Sequence, residues 1–118
     1  MLFGTAVRIQ PGKLDRFREL DAELDEHREE YEALNARFGV HAHSVWAFHQ
    51  RDGTPIALNL YDIEPEGLPA MAKREWDLDS PYDRWWVAWV SDIYGIDLLE
   101  GSTRDAPPER VLEWESGA

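Results

Sequence analysis

The stretch from Lys13 to Phe38, KLDRFRELDAELDEHREEYEALNARF, sets the tightest limit on the fold. Its apolar side chains fall at Leu14, Phe17, Leu20, Leu24, Tyr31, Leu34 and Phe38, in steps of three and four residues apart from one gap of seven that holds His27. This is the period of an amphipathic helix with one buried stripe. The other side, with Asp21, Asp25, Glu29 and Glu32, is a solvated face. Pro11-Gly12 before the stretch and Gly39 after it mark its ends. At 1.5 Å per residue such a helix would run about 39 Å. A helix of that length needs an apolar surface to lie on, and the rest of the chain is read for that surface.

Composition bounds the possibilities. The chain has 118 residues and suits a single domain spanning 1–118. A formal charge of -12 with no basic cluster repels nucleic acid and anionic membrane, so neither is expected as a partner. The absence of cysteine excludes disulfides, thiolate metal sites and cysteine nucleophiles. No apolar run approaches the roughly 20 residues of a membrane span. The opening MLFGTAVRIQ lacks the basic start of a signal peptide, so a cytoplasmic protein is expected. No Gly-rich phosphate loop is present, and no cofactor is expected.

The flanking segments alternate with the period of a strand. Leu2 to Ile9 places Phe3, Thr5, Val7 and Ile9 on one face, and Gly4, Ala6 and Arg8 on the other. His41 to His49, HAHSVWAFH, separates His41, His43, Val45, Ala47 and His49 from Ala42, Ser44, Trp46 and Phe48. Asp52-Gly53 predicts a hairpin into a third strand at Ile56 to Tyr61. Pro65, Gly67 and Pro69 then punctuate a connection. Ser80, Pro81 and Asp83 stand at N-cap, N1 and N3 of a helix ended by Gly95, with Tyr82, Trp85, Trp86, Trp89, Val90 and Ile93 as its apolar stripe. Arg110 to Glu115, RVLEWE, predicts a last strand.

The order is βαββαβ, an α+β ferredoxin-like fold with a four-stranded antiparallel sheet. The helices are expected on Phe3, Val7, Ile9, Trp46, Phe48, Ile56, Leu58, Leu60, Leu112 and Trp114. The opposite face would then carry Arg8, His41, His43, Val45, Ala47, Asn59, Tyr61, Val111, Glu113 and Glu115. That mixture suits a face that closes on a second sheet around a partly polar cavity, so a homodimeric α+β barrel is expected.

Several features resemble the dimeric α/β-barrel superfamily, and within it a small, uncharacterised bacterial family. They are the opening strand followed by PGK and a long acidic helix, then SVWAFH, ALNLYDIE, SPYDRWW…DIYGIDL and VLEW. The resemblance covers nearly the whole chain. It implies a ligand held between sheet and helices or inside the barrel. It brings no catalytic motif to carry onto numbered residues.

Candidate site residues follow from the polar groups on the expected barrel face. His43 near the strand centre is the candidate general base. Arg8, Asn59 and Tyr61 have the groups to orient a carbonyl or phenolate. His41 and Glu113 are candidate ligand contacts. With His43 they form a possible N,N,O set, but no spacing fixes a metal site and none is assigned. His27 lies on the buried stripe of the long helix, where it can meet a cavity below. Trp86 is the candidate aromatic wall, with Trp76 and Tyr82 closing the same pocket. The chain is thus expected to be a homodimeric protein that binds a small aromatic molecule or serves structurally. The alternative is a cofactor-independent cyclase or monooxygenase acting on an aromatic or polyketide-like substrate. There, His43 removes a proton while Arg8, Asn59 or Tyr61 holds the oxyanion.

Overall fold

A computed structural model describes residues 1–100 and 111–117. Strand β1 (Leu2–Arg8) leads into helices α1 (Leu14–Arg18), α2 (Leu20–Asp25) and α3 (Arg28–Arg37). Strands β2 (Val40–His49) and β3 (Pro55–Ile63) follow, then α4 (Gly67–Ala72), α5 (Pro81–Tyr94) and a 3₁₀ turn at Leu98–Glu100. The architecture is α+β. The three strands form one antiparallel sheet in the order β1-β3-β2, so β1 and β2 run parallel with β3 between them.

The single long helix is corrected to three short ones. No proline or glycine marks the joints. At each the chain tightens to an i→i−3 bond, Glu19 N to Arg16 O at 2.9 Å and His27 N to Leu24 O at 2.8 Å. A straight rod of about 39 Å would overrun strands of seven to ten residues, which span roughly 23–33 Å. Tertiary contacts bend it instead. His27 stacks on Trp85 with ring centres 4.9 Å apart. Lys13 and Arg16 both grip Asp92 at 2.7 Å, tying α1 to α5.

The assignment of sheet faces is also corrected. The alternation is as read in β1, in β3 and from Ala42 onward in β2, but β2 and β3 are turned over. The register sets Phe3, Tyr61 and His43 abreast, then Thr5, Asn59 and Val45, then Val7, Ala57 and Ala47. These residues lie beneath the helices. The reason is volume. Helix α5 brings Trp89, Val90, Ile93 and Tyr94 into the core, where Trp89 is fully buried, and Phe17 of α1 joins them. Side chains of that size need Ala57 and Val45 below them, not Leu58 and Trp46. The more apolar face is left open, with Leu2 82%, Trp46 59%, Phe48 47% and Leu60 39% exposed.

The predicted caps of α5 are present. Ser80 accepts from Asp83 N, Pro81 occupies the first turn, and Gly95 has φ 68°. The expected last strand is not. Residues 111–117 carry no strand, and Val111, Leu112 and Trp114 are exposed, while Arg110 lies outside the described residues. Leu112 and Trp114 give one step of alternation, too little to specify pairing by itself. Among the described residues no helix is long and apolar enough to cross a membrane.

Candidate functional site

Between the sheet and its helices lies a cavity of about 190 Å³. His43 and Tyr61 form its floor. Leu20, Leu24, Tyr31, Leu34 and Phe38 line one side, and Met71, Arg74, Trp76, Tyr82 and Trp86 the other. Register brings the floor together, because His43 and Tyr61 are direct cross-strand partners. Their rings stack 4.2 Å apart at 6°. The break at His27 re-aims α3 so that the Tyr31 hydroxyl reaches His43 Nδ1 at 2.6 Å.

The electrostatics make the cavity neutral. Burial holds the His43 pKa below its ordinary value, and the nearby Asn59 side chain offsets only part of the shift. Burial, then the neighbouring tyrosines, push the Tyr61 hydroxyl well above its ordinary range. Burial likewise raises Tyr82 to about 12, against the pull of Arg74. Among the described residues of the cavity wall the one cation, Arg74, is paired with Asp83, which also accepts from Asp77 N at 2.9 Å. The Arg74 guanidinium lies over the Trp76 ring at 4.1 Å.

A second, more open chamber of about 440 Å³ adjoins the first. The two share Leu20, Leu24, Tyr31 and His43. The mouth of this chamber carries Arg18, Asp21 and Arg28. Its charges are matched, since Arg28 binds Asp21 at 2.8 Å and Asp25 at 2.6 Å, and Arg18 binds Asp15 at 3.4 Å.

The structure gathers His43, Tyr61 and Trp86 at one cavity, with Asn59 buried beside His43. Trp76 and Tyr82 close it as expected. Other candidates are elsewhere. Arg8 is exposed on the opposite sheet face, abreast of Ile56, because β1 does not turn over with its neighbours. His41 and His43 do not share a face. A bulge sets Val40 against Ile63 and Ala42 against Asp62, which leaves His41 as the extra residue, bonded to Glu64 at 2.7 Å. The N,N,O metal arrangement therefore does not form, and no cluster of metal-ligating side chains occurs among the described residues. His27 packs outside the cavity lining, flat on Trp85 and edge-on to Tyr82. Glu113 is exposed on the C-terminal segment.

Sequence reasoning did not single out Tyr31 and Arg74 as site residues. Tyr31 carried a signal, a hydroxyl on an otherwise apolar stripe. Arg74 carried none, because nothing local announces Asp83 as its partner. No family model, curated protein or solved structure matches the chain.

Proposed function

We propose that the protein binds a small, uncharged aromatic molecule in the cavity beneath α2, α3 and α5, and that it does so as a homodimer. The observation that carries the reading is the cavity itself: aromatic walls, a stacked His43–Tyr61 floor, and a paired cation. Its 190 Å³ exceeds the roughly 150 Å³ that holds benzene in an apolar site. It is below the range of about 300–1,000 Å³ for drug-sized ligands. One substituted ring is the matching size. The neutral interior and the chain's -12 charge both disfavour an anion. Titration with phenol and indole, read by tryptophan fluorescence, is expected to show saturable quenching that Trp86→Ala abolishes. A panel of single-ring compounds without saturable binding would refute the reading.

Homodimer formation is supported by the open apolar sheet face, not by the His43 face expected to close on a second sheet, which lies under the helices. The pairing would use Trp46, Phe48 and Leu60, the face opposite the cavity. The second reading, a cofactor-independent cyclase or monooxygenase, is favoured by one observation. A neutral His43 bonded to Tyr31 is suited to a relay, in which the Tyr31 oxygen takes a proton from a bound ring as its own passes to His43 Nδ1. On that reading the Tyr61 hydroxyl is the candidate to meet a developing oxyanion. Turnover of a bound phenol or polyketide-like ring, lost in His43→Phe, would establish it over simple binding.

A further inference from the structure

We infer that Asn59 is a positioning residue that sets the proton on His43, and that the Tyr31 oxygen, as a consequence, selects ligands carrying a hydrogen-bond donor. The ligand half of this inference rests on the binding proposed above; the tautomer half does not.

Tyr31 O lies 2.6 Å from His43 Nδ1. Contacts donated by N–H centre near 2.9–3.0 Å, and those donated by O–H are shorter, near about 2.7 Å. The short contact fits an O–H···N bond, in which Tyr31 donates and Nδ1 accepts. A neutral imidazole has one N–H, so its proton sits on Nε2. That nitrogen is buried and has no partner of normal geometry. The ring lies flat on Tyr61 at 4.2 Å, which holds its plane.

Asn59 supplies the acceptor. Its side chain is 7% exposed, and it sits one cross-strand pair along the same face from Tyr61 and His43. It is close enough to both His43 and the Tyr94 hydroxyl to influence each. The Tyr94 hydroxyl is likewise buried without a partner of normal geometry. A buried amide between two unsatisfied groups is there to serve them. On this inference its carbonyl accepts from Nε2–H. With His43 fixed in this tautomer, the Tyr31 proton is committed to Nδ1. The Tyr31 oxygen then meets the cavity as an acceptor. A phenol O–H or a pyrrole-type N–H satisfies it, and an ether does not.

The test has two arms on the full chain. Long-range ¹H–¹⁵N NMR of the ligand-free protein at pH 7 is expected to show His43 as the Nε2–H tautomer. An Nδ1–H or doubly protonated ring would overturn the inference. Asn59→Asp keeps the shape and places a carboxylate at Nε2, so the His43 pKa is expected to rise. An unmoved His43 titration would overturn the role of Asn59. In the second arm, phenol is expected to bind at least about tenfold tighter than anisole, with the preference lost in Tyr31→Phe. Equal affinities would overturn the selection. If neither compound binds while the tautomer is as stated, the binding proposal and the selection fall together and the positioning by Asn59 stands.

Discussion

At the scale of single residues, His43 couples the candidate site to stability. Burial lowers its folded pKa below 6.5. Above pH 6.5 the ring is neutral in both folded and unfolded chains and the group contributes no pH dependence. As the pH falls below that value the unfolded chain binds a proton that the folded chain resists, so stability declines until the lower folded pKa is passed. The depressed carboxylates act in a separate, more acidic window. Glu23 is lowered chiefly by its bond from Arg16, and Asp92 chiefly by its bond from Lys13. Their stabilisation is lost only as the pH falls below the ordinary values of 4.5 and 3.8. Urea melts across pH 8 to 5 are expected to show a loss that begins near 6.5 and is absent in His43→Phe. The same slope in both proteins would remove His43 as its source. Arg74 offers a second residue-scale test. It and Asp83 are each only 9% exposed, and Arg74→Met leaves a buried carboxylate against the Asp77 amide without its cation. The expected cost is about 3–5 kcal/mol, most of it recovered in the double variant Arg74→Met/Asp83→Leu. A single-variant loss under about 1 kcal/mol would mean that the pair is solvated.

At the scale of elements, the cavity wall depends on how closely α4 approaches the end of α3. A Cβ built on Gly67 would stand 1.8 Å from the Phe38 carbonyl oxygen, which is rigid backbone. Gly67→Ala must push α4 outward, carrying Met71 and Arg74 away from the cavity. A loss of at least about 1–3 kcal/mol is expected, together with weakened ligand binding. Gly53→Ala, at φ 87° in the exposed hairpin, is the control that strains the backbone without touching the site. Unchanged melting and binding in Gly67→Ala would sink this account of α4. Such close approaches are what the sequence does not display. Strand alternation, the Ser80–Asp83 cap and the Asp52-Gly53 hairpin were legible because each is encoded within a few residues. The turned-over faces of β2 and β3 were not, because they follow from the volumes of Trp89 and Tyr94, far along the chain in α5. His43, Asn59 and Tyr61 were picked out for their chemistry on a shared face. That face lies under the helices, which made Tyr31 and Trp86 their neighbours and left Arg8 behind. The joints at Glu19 and His27 were illegible for a related reason: no local breaker marks them, and contacts with α5 hold them.

At the scale of the whole molecule, charge limits how two copies can meet. Each carries -12, so most approaches bring carboxylates together. The open sheet face is different. Along it, Arg8 stands at one end of β1 and Asp62, which also holds the Met1 amine at 3.3 Å, at the opposite end of β3. Between them lie Ala6, Leu58 and Leu60, with Trp46 and Phe48 on β2. A two-fold axis lying between two such faces and across the strands would set Arg8 of each copy over Asp62 of the other, with the apolar residues buried in the centre. Native mass measurement at micromolar concentration is expected to give a dimer that tightens with added salt, because salt screens the net repulsion more than it weakens apolar burial. Trp46→Glu is expected to yield monomer with an unchanged cavity. Arg8→Glu is expected to weaken the dimer, and the swap Arg8→Glu/Asp62→Lys to restore it. A dimer that survives Trp46→Glu would place the interface elsewhere. Loss in Trp46→Glu without any response to Arg8→Glu would keep the face and discard this axis. A monomer in the wild-type chain would leave Leu2, Trp46 and Phe48 open to water, and the proposed pairing would fail outright.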